Sequence, residues 1–407
     1  MKPRWPRRVG LLLLVLLGLS LPAPEPLAQT ADPELQRVEQ MLEESQKEIG
    51  EFRRKGGKDE DPAHPGRKWA ATLWDYRRQH PGTPAAARAT AESIHLSLHG
   101  AGVEAALARL DTVPADDAAW ERLASVLLEA ADIQKDSDVF IRRAEVLLPK
   151  WTKTEWKAQW GFALGQSYWS RGDAEKAVAT LRAVVETAPE SEHARKAPAA
   201  MEEIGQLKGY GKVLTVGERS WRARDLRERP MEVMERLGIV PGSAVADVGS
   251  GEGYFTFLLA ARVGAQGKVY AVDIEEKPLE KLRGWAREAG LAQIETIHST
   301  PKDPRLPASS VDALLVVDTY HEMRDYKEML KAMFRALRPG GQMGVIERSD
   351  ALNRKRRDYH ERHSIPVEVV VEEAARAGFR LTQFDAGFSG LPKSTPSYLA
   401  IFEKPAQ

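Results

Sequence analysis

Residues 245–256 read Val-Ala-Asp-Val-Gly-Ser-Gly-Glu-Gly-Tyr-Phe-Thr, and this stretch decides the fold of the C-terminal half. A short apolar run passes through Asp247, and glycines follow at 249, 251 and 253. Alternating glycines let a backbone turn tightly and approach a ligand closely. A helix that begins near Gly253 would point its positive end at that ligand, which favours a carboxylate. The stretch therefore predicts a strand, a ligand-binding turn and a helix.

Short apolar runs and helical stretches alternate on both sides of this turn. Strands are predicted at 243–248, 268–272, 294–298, 313–317 and 342–347. Helices are predicted between them at 254–263, 276–289 and 326–337, followed by a helix at 366–377 and strands at 380–384 and 398–403. Such alternation predicts an α/β fold, a Rossmann-like doubly wound sheet.

Two carboxylates flank the glycine turn and distinguish between classes of ligand. Asp273 ends the second predicted strand, where a carboxylate can accept both hydroxyls of a ribose. A dinucleotide site that starts at Gly249 and Gly251 needs a third glycine at position 254, which is Tyr254 here. Asp247 would repel a pyrophosphate but would hold an ammonium group. The pattern favours a ligand with an amino-acid end and a ribose.

The stretch from about 238 to 402 resembles the class I S-adenosylmethionine-dependent methyltransferases. It is most similar to the branch that contains quinone-biosynthesis and arsenite methyltransferases. Five segments carry the resemblance, in order and at sensible spacing: 245–256, Val-Tyr-Ala-Val-Asp at 269–273, Asp-Pro-Arg-Leu-Pro at 303–307, Asp-Thr-Tyr-His at 318–321 and Leu-Arg-Pro-Gly-Gly at 337–341. Arsenite methyltransferases use cysteine thiolates, and the chain has no cysteine, so that chemistry is excluded.

The resemblance implies S-adenosylmethionine as the cofactor and a role for each matching residue. The donor would be bound by Asp247 (ammonium), Gly249, Gly251 and Gly253 (methionine end), Asp273 (ribose), Asp303 (adenine) and Asp318 (the wall towards the acceptor). His321 and Tyr320 would be the catalytic candidates, as general bases for an acceptor that must lose a proton. The implied function is methyl transfer by in-line displacement to an unidentified acceptor, a small molecule or a protein. The alternative is an exported interaction protein whose donor-binding fold is catalytically silent.

The N-terminal half is of a different kind. Residues 32–68 read as a helix followed by a polar linker, and 69–210 as an all-α domain rich in Ala, Leu, Arg and Glu. Leu164-Gly165, Tyr168, Gly172, Ala177, Leu181 and Pro189 fit the 34-residue tetratricopeptide pattern, which predicts a tetratricopeptide-like helical module that could dock a protein partner. Seven tryptophans between 69 and 169 form either an aromatic binding face or, as we expect, the core between the helices.

Residues 1–28 read as a signal peptide, with a basic start, an apolar run from Leu11 to Leu21 and small residues around Ala28. We expect an exported, periplasmic protein without an integral membrane domain after signal removal; an uncleaved N-terminal anchor is the alternative. S-adenosylmethionine is made in the cytoplasm, so an exported protein would be separated from its donor. Three explanations stay open: donor supply outside the inner membrane, a silent binding module, or a start codon placed too early. The methyltransferase domain is predicted at 221–405.

Composition sets further limits. Lys+Arg and Asp+Glu both number 59, so no overall charge favours nucleic acid. The basic run at 354–357 is interpreted as a solvated, mobile loop. His360, Glu361 and His363 lack the spacing of a helical zinc motif, so no metal site is predicted.

Overall fold

The computed structural model describes residues 32–58, 61–134, 136–210, 222–352, 354–389 and 397–406. The predicted signal peptide at 1–28 lies outside these residues. The described residues divide into two compact units. One contains the chain up to Arg171 together with 175–197, and the other contains 172–174 and the chain from Pro198 onward. The end of the last helix of the N-terminal half is therefore part of the C-terminal unit.

The N-terminal unit is all-helical within the described residues. Its helices are α1 (Pro33–Arg54), α2 (Pro65–Gln79), α3 (Pro84–Gly100), α4 (Val103–Leu110), α5 (Trp120–Ile133), α6 (Asp138–Leu147), α7 (Thr154–Arg171), α8 (Ala174–Thr187) and the start of α9 (Glu192–Lys208). Asp32 caps α1 by accepting the main-chain N–H of Glu34 at 2.9 Å. Helix α2 begins at Pro65, so residues 65–68, predicted as linker, form its first turn.

The tryptophans of this unit are packed in its core, as expected. Six of the seven are buried: Trp69, Trp120, Trp151, Trp156, Trp160 and Trp169. The rings of Trp120, Trp151 and Trp160 lie 4.5–5.8 Å apart, a distance typical of packed aromatic side chains. Trp74 is half-buried beneath Arg77, 4.8 Å away. These rings hold helices together rather than forming an exposed face.

Helices α7 and α8 approach closely at small residues. A Cβ atom added to Gly161 would lie 2.8 Å from Val184, and one added to Gly165 would lie 2.8 Å from Leu181. Both distances are too short for real contacts, so glycine is needed at these positions. The close helix pair is present, while its assignment as a tetratricopeptide repeat stays a prediction.

The C-terminal unit is built on a seven-stranded sheet in the order β3-β2-β1-β4-β5-β7-β6. The strands are β1 (Ala244–Val248), β2 (Lys268–Asp273), β3 (Ile294–His298), β4 (Val311–Val317), β5 (Leu337–Arg348), β6 (Arg380–Asp385) and β7 (Ser397–Glu403). The first five are parallel, and β7 is antiparallel to both β5 and β6. The predicted doubly wound α/β fold is confirmed.

Helices connect the parallel strands: α12 (Tyr254–Val263), α13 (Glu276–Glu288) and α14 (Tyr326–Ala336). The unit also contains α10 (Arg222–Glu228), α11 (Pro230–Arg236), α15 (Arg356–Arg362) and α16 (Val367–Arg376). Strands β1 and β4 are almost entirely buried, because helices cover both faces of a parallel sheet. The carboxyl ends of β1, β2, β4 and β5 meet at one edge, which is where ligands bind in such sheets.

Within the described residues, no helix combines the length and the apolar composition that a membrane crossing requires.

Candidate functional site

The turn after β1 is shaped by its glycines. Gly249, Gly251 and Gly253 all have positive φ (81°, 52° and 100°), a conformation that side chains disfavour. A Cβ atom on Gly249 would overlap the side chain of Thr319, in the turn after β4, whereas one on Gly251 would meet nothing within 4 Å. The turn therefore packs against the segment after β4 at Gly249, while the space beside Gly251 is open.

Asp273, at the end of β2, holds the open tip of this turn. Its Oδ2 accepts the main-chain N–H of Gly251 at 2.8 Å, and its Oδ1 accepts that of Glu275 at 2.9 Å. The amides of Gly249 and Ser250 both donate to the carbonyl oxygen of Val272. The glycine turn and the end of β2 thus form one hydrogen-bonded unit, and the ligand-binding roles of Asp273 and Gly251 stay predictions.

Asp247 lies beneath the turn and is only 3% exposed. Burial raises its pKa to about 6, although the hydroxyl of Thr256, which donates to Oδ2 at 2.7 Å, and the charge of Arg224 oppose the shift. A buried carboxylate with a raised pKa is stabilised in its ionised form by a cationic ligand group. Asp247 is therefore suited to an ammonium group.

Sequence reasoning missed a polar network on α10 beside this carboxylate. The Nε of Arg224 lies 3.2 Å from Oε1 of Glu228, and its guanidinium lies 4.1 Å from the ring centre of Tyr254, the first residue of α12. The hydroxyl of Tyr254 donates to buried Asp225 at 2.8 Å. The only sequence signal is the charged run at 222–229, which local patterns cannot distinguish from a solvated helix face.

Asp318 and His321 follow β4, as predicted. Asp318 has a positive φ of 50°, and its Oδ1 lies 3.6 Å from Nε of Arg348. His321 is 2% exposed, and its Nδ1 lies 2.9 Å from Oε2 of Glu347. Its main-chain N–H also donates to Glu347, at 3.1 Å. His321 is thus fixed by a fully buried carboxylate that the sequence analysis did not identify.

The electrostatics of this pair follow from burial and contact. Burial disfavours the charged imidazole, but the hydrogen bond and the charge of Glu347 together hold the pKa of His321 above its ordinary value. Burial raises the pKa of Glu347 as well, and His321 opposes that shift. The pair therefore shares its proton and charge, with the Nδ1 side of the imidazole committed to Glu347.

Tyr320 is not directed towards the same space. Its side chain is fully buried in the main hydrophobic core, and its hydroxyl donates to Glu373 at 3.0 Å. Burial, and to a smaller extent Glu373, raise the pKa of Tyr320 well above its ordinary value. Its hydroxyl therefore stays protonated and is not suited to accept a proton. The structure thus separates the two predicted catalytic candidates: Tyr320 is a core residue, while His321 lies at the site.

Asp303 lies in the loop after β3, and its carboxylate is engaged within the protein. Its Oδ2 lies 3.2 Å from Nη2 of Arg335 at the end of α14, and its Oδ1 accepts the main-chain N–H of Arg305. The loop that carries Asp303 is joined to the carboxyl end of β2, because the main-chain N–H of Ser299 donates to the carbonyl oxygen of Asp273 at 2.8 Å. The side chain of Asp303 is thus paired with Arg335, and its contact with adenine stays a prediction that donor titration tests.

The basic run at 354–357, expected to be a solvated, mobile loop, is exposed at three of its four residues and differs from the expectation at Arg356. Arg356 begins α15, and its guanidinium donates to the carbonyl oxygens of Tyr320 (2.9 Å), His321 (3.1 Å) and Met323 (3.2 Å). Its Nε also donates to Glu373, at 3.1 Å. Arg356 therefore fixes the turn that carries His321, because it donates to three main-chain carbonyls of that turn.

Comparisons with known proteins agree with this geometry. Residues 245–341 match the family described as a methyltransferase domain. Demethylmenaquinone methyltransferases of Listeria welshimeri and Geobacillus stearothermophilus are 30% and 31% identical over 118 residues, which is 29% of this chain and 50% of each relative. The chain thus spans about half the length of these curated relatives.

Among solved structures, a SAM-dependent methyltransferase from Aquifex aeolicus aligns with 48% of this chain and 98% of its own, at 21% identity and a TM-score of 0.39. An arsenic(III) S-adenosylmethionine methyltransferase from Chlamydomonas reinhardtii is 19% identical, with a TM-score of 0.34 over 41% of this chain and 64% of that one. The family match, at 245–341, covers the glycine turn and both flanking carboxylates. Residues 245–341 of the C-terminal unit are therefore similar to a methyltransferase domain.

Proposed function

We propose that the C-terminal unit binds S-adenosylmethionine in the glycine turn and transfers its methyl group to an acceptor that lies beside His321. The observation that carries this proposal is the placement of the turn between two carboxylates. Asp247 lies beneath it, buried, and Asp273 holds its tip through the N–H of Gly251.

The residues present fit such a donor. The Ser250 hydroxyl, in the same turn, is buried and has no hydrogen-bond partner within the described residues. An unsatisfied buried hydroxyl is costly, so a polar ligand group at this point would offset that cost. The open space at Gly251 leaves the backbone accessible, and the raised pKa of Asp247 favours a cation.

Each of these residues has one role in binding. Asp247 pairs with the donor ammonium, and the main chain at Gly249 and Gly251 lies against the amino-acid end. Asp273 accepts the ribose hydroxyls, since each carboxylate oxygen can accept more than one hydrogen bond. When bound, S-adenosylmethionine supplies a methyl group that is already activated by its sulfonium sulfur. The protein therefore mainly aligns the reactants and excludes water.

His321 acts on the acceptor side. Opposite the ionised carboxylate of Glu347, Nδ1 of His321 is the donor, and the lone pair of the neutral ring is then on Nε2. Thr319 packs against Gly249, and His321 follows two residues later in the same turn. His321 therefore lies at the same edge of the sheet as the glycine turn. Nε2 of His321 is thus a fixed Lewis base for the acceptor half of the site.

We also propose that the protein acts outside the cytoplasm, on the strength of the basic and apolar segments within residues 1–28. N-terminal sequencing of the native protein tests this. A mature chain that begins near residue 29 supports export with cleavage, and an intact Met1 on protein recovered from the cytoplasmic fraction contradicts export.

The activity is tested by transfer of label. Purified protein is incubated with methyl-labelled S-adenosylmethionine and a cell-envelope extract. We expect labelled product with the wild type and none above background with Asp273→Ala. An equal yield from the Asp273→Ala variant would contradict the proposed donor site.

A further inference from the structure

Three side chains of types that can ligate a metal lie close together at His321, and they come from two separate segments of the chain. His321 and Glu322 belong to the short turn after β4, and His363 follows the last residue of α15. Nε2 of His321 lies 3.4 Å from Nδ1 of His363 and 3.8 Å from Oε1 of Glu322. The third distance, from Nδ1 of His363 to Oε1 of Glu322, is 3.9 Å.

These three distances are similar to the distances between ligand atoms that coordinate the same cation. The point equidistant from the three atoms lies about 2.1 Å from each, and zinc lies about 2.0–2.2 Å from imidazole nitrogen and carboxylate oxygen. Distances of 3.8 and 3.9 Å are too long for direct hydrogen bonds. The remaining distance, 3.4 Å between the two imidazole nitrogens, is a long hydrogen bond that a shared ion would replace.

The orientation of His321 agrees with this assignment. Its Nδ1 side is held by Glu347, which is 0% exposed, so Nε2 carries the lone pair that faces His363 and Glu322. A ligating histidine whose other nitrogen donates to a carboxylate is the usual arrangement around protein-bound metals, because the carboxylate fixes the ring and increases its basicity. Glu347 is the carboxylate in this position beside His321.

His363 is held in an uncommon backbone conformation. Its φ is 51°, the left-handed region that non-glycine residues seldom adopt. This conformation ends α15 and places the imidazole beside His321, with the rings 5.4 Å apart at 89°. The side chains of His363 and Glu322 are 47% and 52% exposed, so solvent reaches the open side of the cluster.

A second group of the same residue types, in the N-terminal unit, provides a contrast. His95 and His99 contact the two carboxylate oxygens of Glu129 directly, at 3.2 and 2.9 Å. Those distances are ordinary charge-assisted hydrogen bonds, so both histidines are already paired with the carboxylate. Identical residue types thus form a closed ion pair at one place and an open triangle at the other.

We propose that His321, Glu322 and His363 bind one divalent transition-metal ion of the zinc class, with Glu347 as the carboxylate that orients His321. Three protein ligands leave a fourth position open, which is typical of catalytic rather than structural zinc sites. Nitrogen and oxygen ligands without thiolate suit zinc and its first-row neighbours.

The consequence for the acceptor rests on the proposed function. An acceptor bound at the open position through a hydroxyl or thiol would lose its proton to solvent more readily, because the cation stabilises the resulting anion. The acceptor class favoured by this site is therefore a compound with a metal-ligating hydroxyl or thiol. Binding of the ion itself does not depend on methyl transfer.

The test is a calorimetric titration of chelator-treated, full-length protein with zinc chloride. We expect one zinc per chain for the wild type and at least about tenfold weaker binding for His363→Ala and for Glu322→Gln, since each removes a ligand. His298→Ala removes a similarly exposed histidine, 51% exposed at the end of β3, and His99→Ala disrupts the closed group; both should bind as the wild type does.

Absence of stoichiometric binding, or equal binding by wild type and His363→Ala, would overturn the proposal, as would loss of binding in His99→Ala. Donor binding measured on the same His363→Ala sample separates the two claims. If zinc binds normally to the wild type but S-adenosylmethionine does not, the proposed function fails and the metal site stands.

Discussion

The main-chain N–H of Gly251 donates to Oδ2 of Asp273 at 2.8 Å, across 22 residues of sequence. This bond connects the tip of the glycine turn to the end of the neighbouring strand. Because the same carboxylate also accepts the N–H of Glu275, the residue proposed to bind the ribose is held in place without a ligand. Preorganisation of this kind reduces the entropy lost on binding.

Gly249→Ala should abolish donor binding. The new Cβ would overlap Thr319, and a φ of 81° would cost about 1–3 kcal/mol for a non-glycine residue. Gly290→Ala is the matched control, because Gly290 has a φ of 72° but open space around it. Thermal melts and calorimetry should show reduced stability in both variants and lost donor binding only in Gly249→Ala. Donor binding by Gly249→Ala at wild-type affinity would show that the turn does not bind the donor.

Donor affinity should fall as the pH drops below about 6. Protonation of Asp247, whose pKa is about 6, removes the charge that pairs with the donor ammonium. Affinity should then weaken by about tenfold per pH unit. Calorimetry between pH 5 and 7 measures this dependence, which Asp247→Asn should remove. A flat profile for the wild type would contradict the ammonium role.

Glu203→Gln should stabilise the protein at pH 8 and have little effect at pH 5. Burial raises the pKa of Glu203 to about 8, so between its ordinary value of 4.5 and 8 the unfolded chain is ionised while the folded chain is not. Wild-type stability therefore falls as the pH rises through this window. Glutamine can still accept the N–H of Met231. Melting temperatures at both pH values measure the difference, with exposed Glu202→Gln as the control; an identical shift at pH 5 and pH 8 would disprove the assignment.

Asp303→Asn should leave donor affinity unchanged. Its ion-pair partner Arg335 is 54% exposed, so loss of the pair should cost less than about 1 kcal/mol of stability. Calorimetry with S-adenosylmethionine decides between this expectation and the adenine contact that the sequence motif implied. A marked loss of affinity would restore Asp303 to the site.

Local patterns predicted the C-terminal fold closely. The strand at Ile294–His298 and the helix at Tyr254–Val263 match the predicted bounds, since each is a continuous apolar or amphipathic run between turn residues. Asp273 could be placed against Gly251, because strand ends of a parallel sheet share one edge.

What could not be predicted depends on contacts between distant segments. His363 lies 42 residues from His321, and no spacing rule connects them, so a search for local zinc motifs found nothing. Tyr320 and His321 are adjacent in sequence but point to opposite environments, the core and the site. Arg356 belongs to a charged run, and its contacts with three main-chain carbonyls are evident only from the structure.

The most direct measurement is a calorimetric titration of ligand-free protein with S-adenosylmethionine and with its demethylated product. Wild type and Glu295→Ala, which alters an exposed carboxylate on β3, should both bind one equivalent. Asp273→Ala, folded by circular dichroism, should bind at least about tenfold more weakly, because it loses a charged hydrogen-bond acceptor for the ribose. No heat with either compound, together with tight binding of a nicotinamide dinucleotide, would contradict the account.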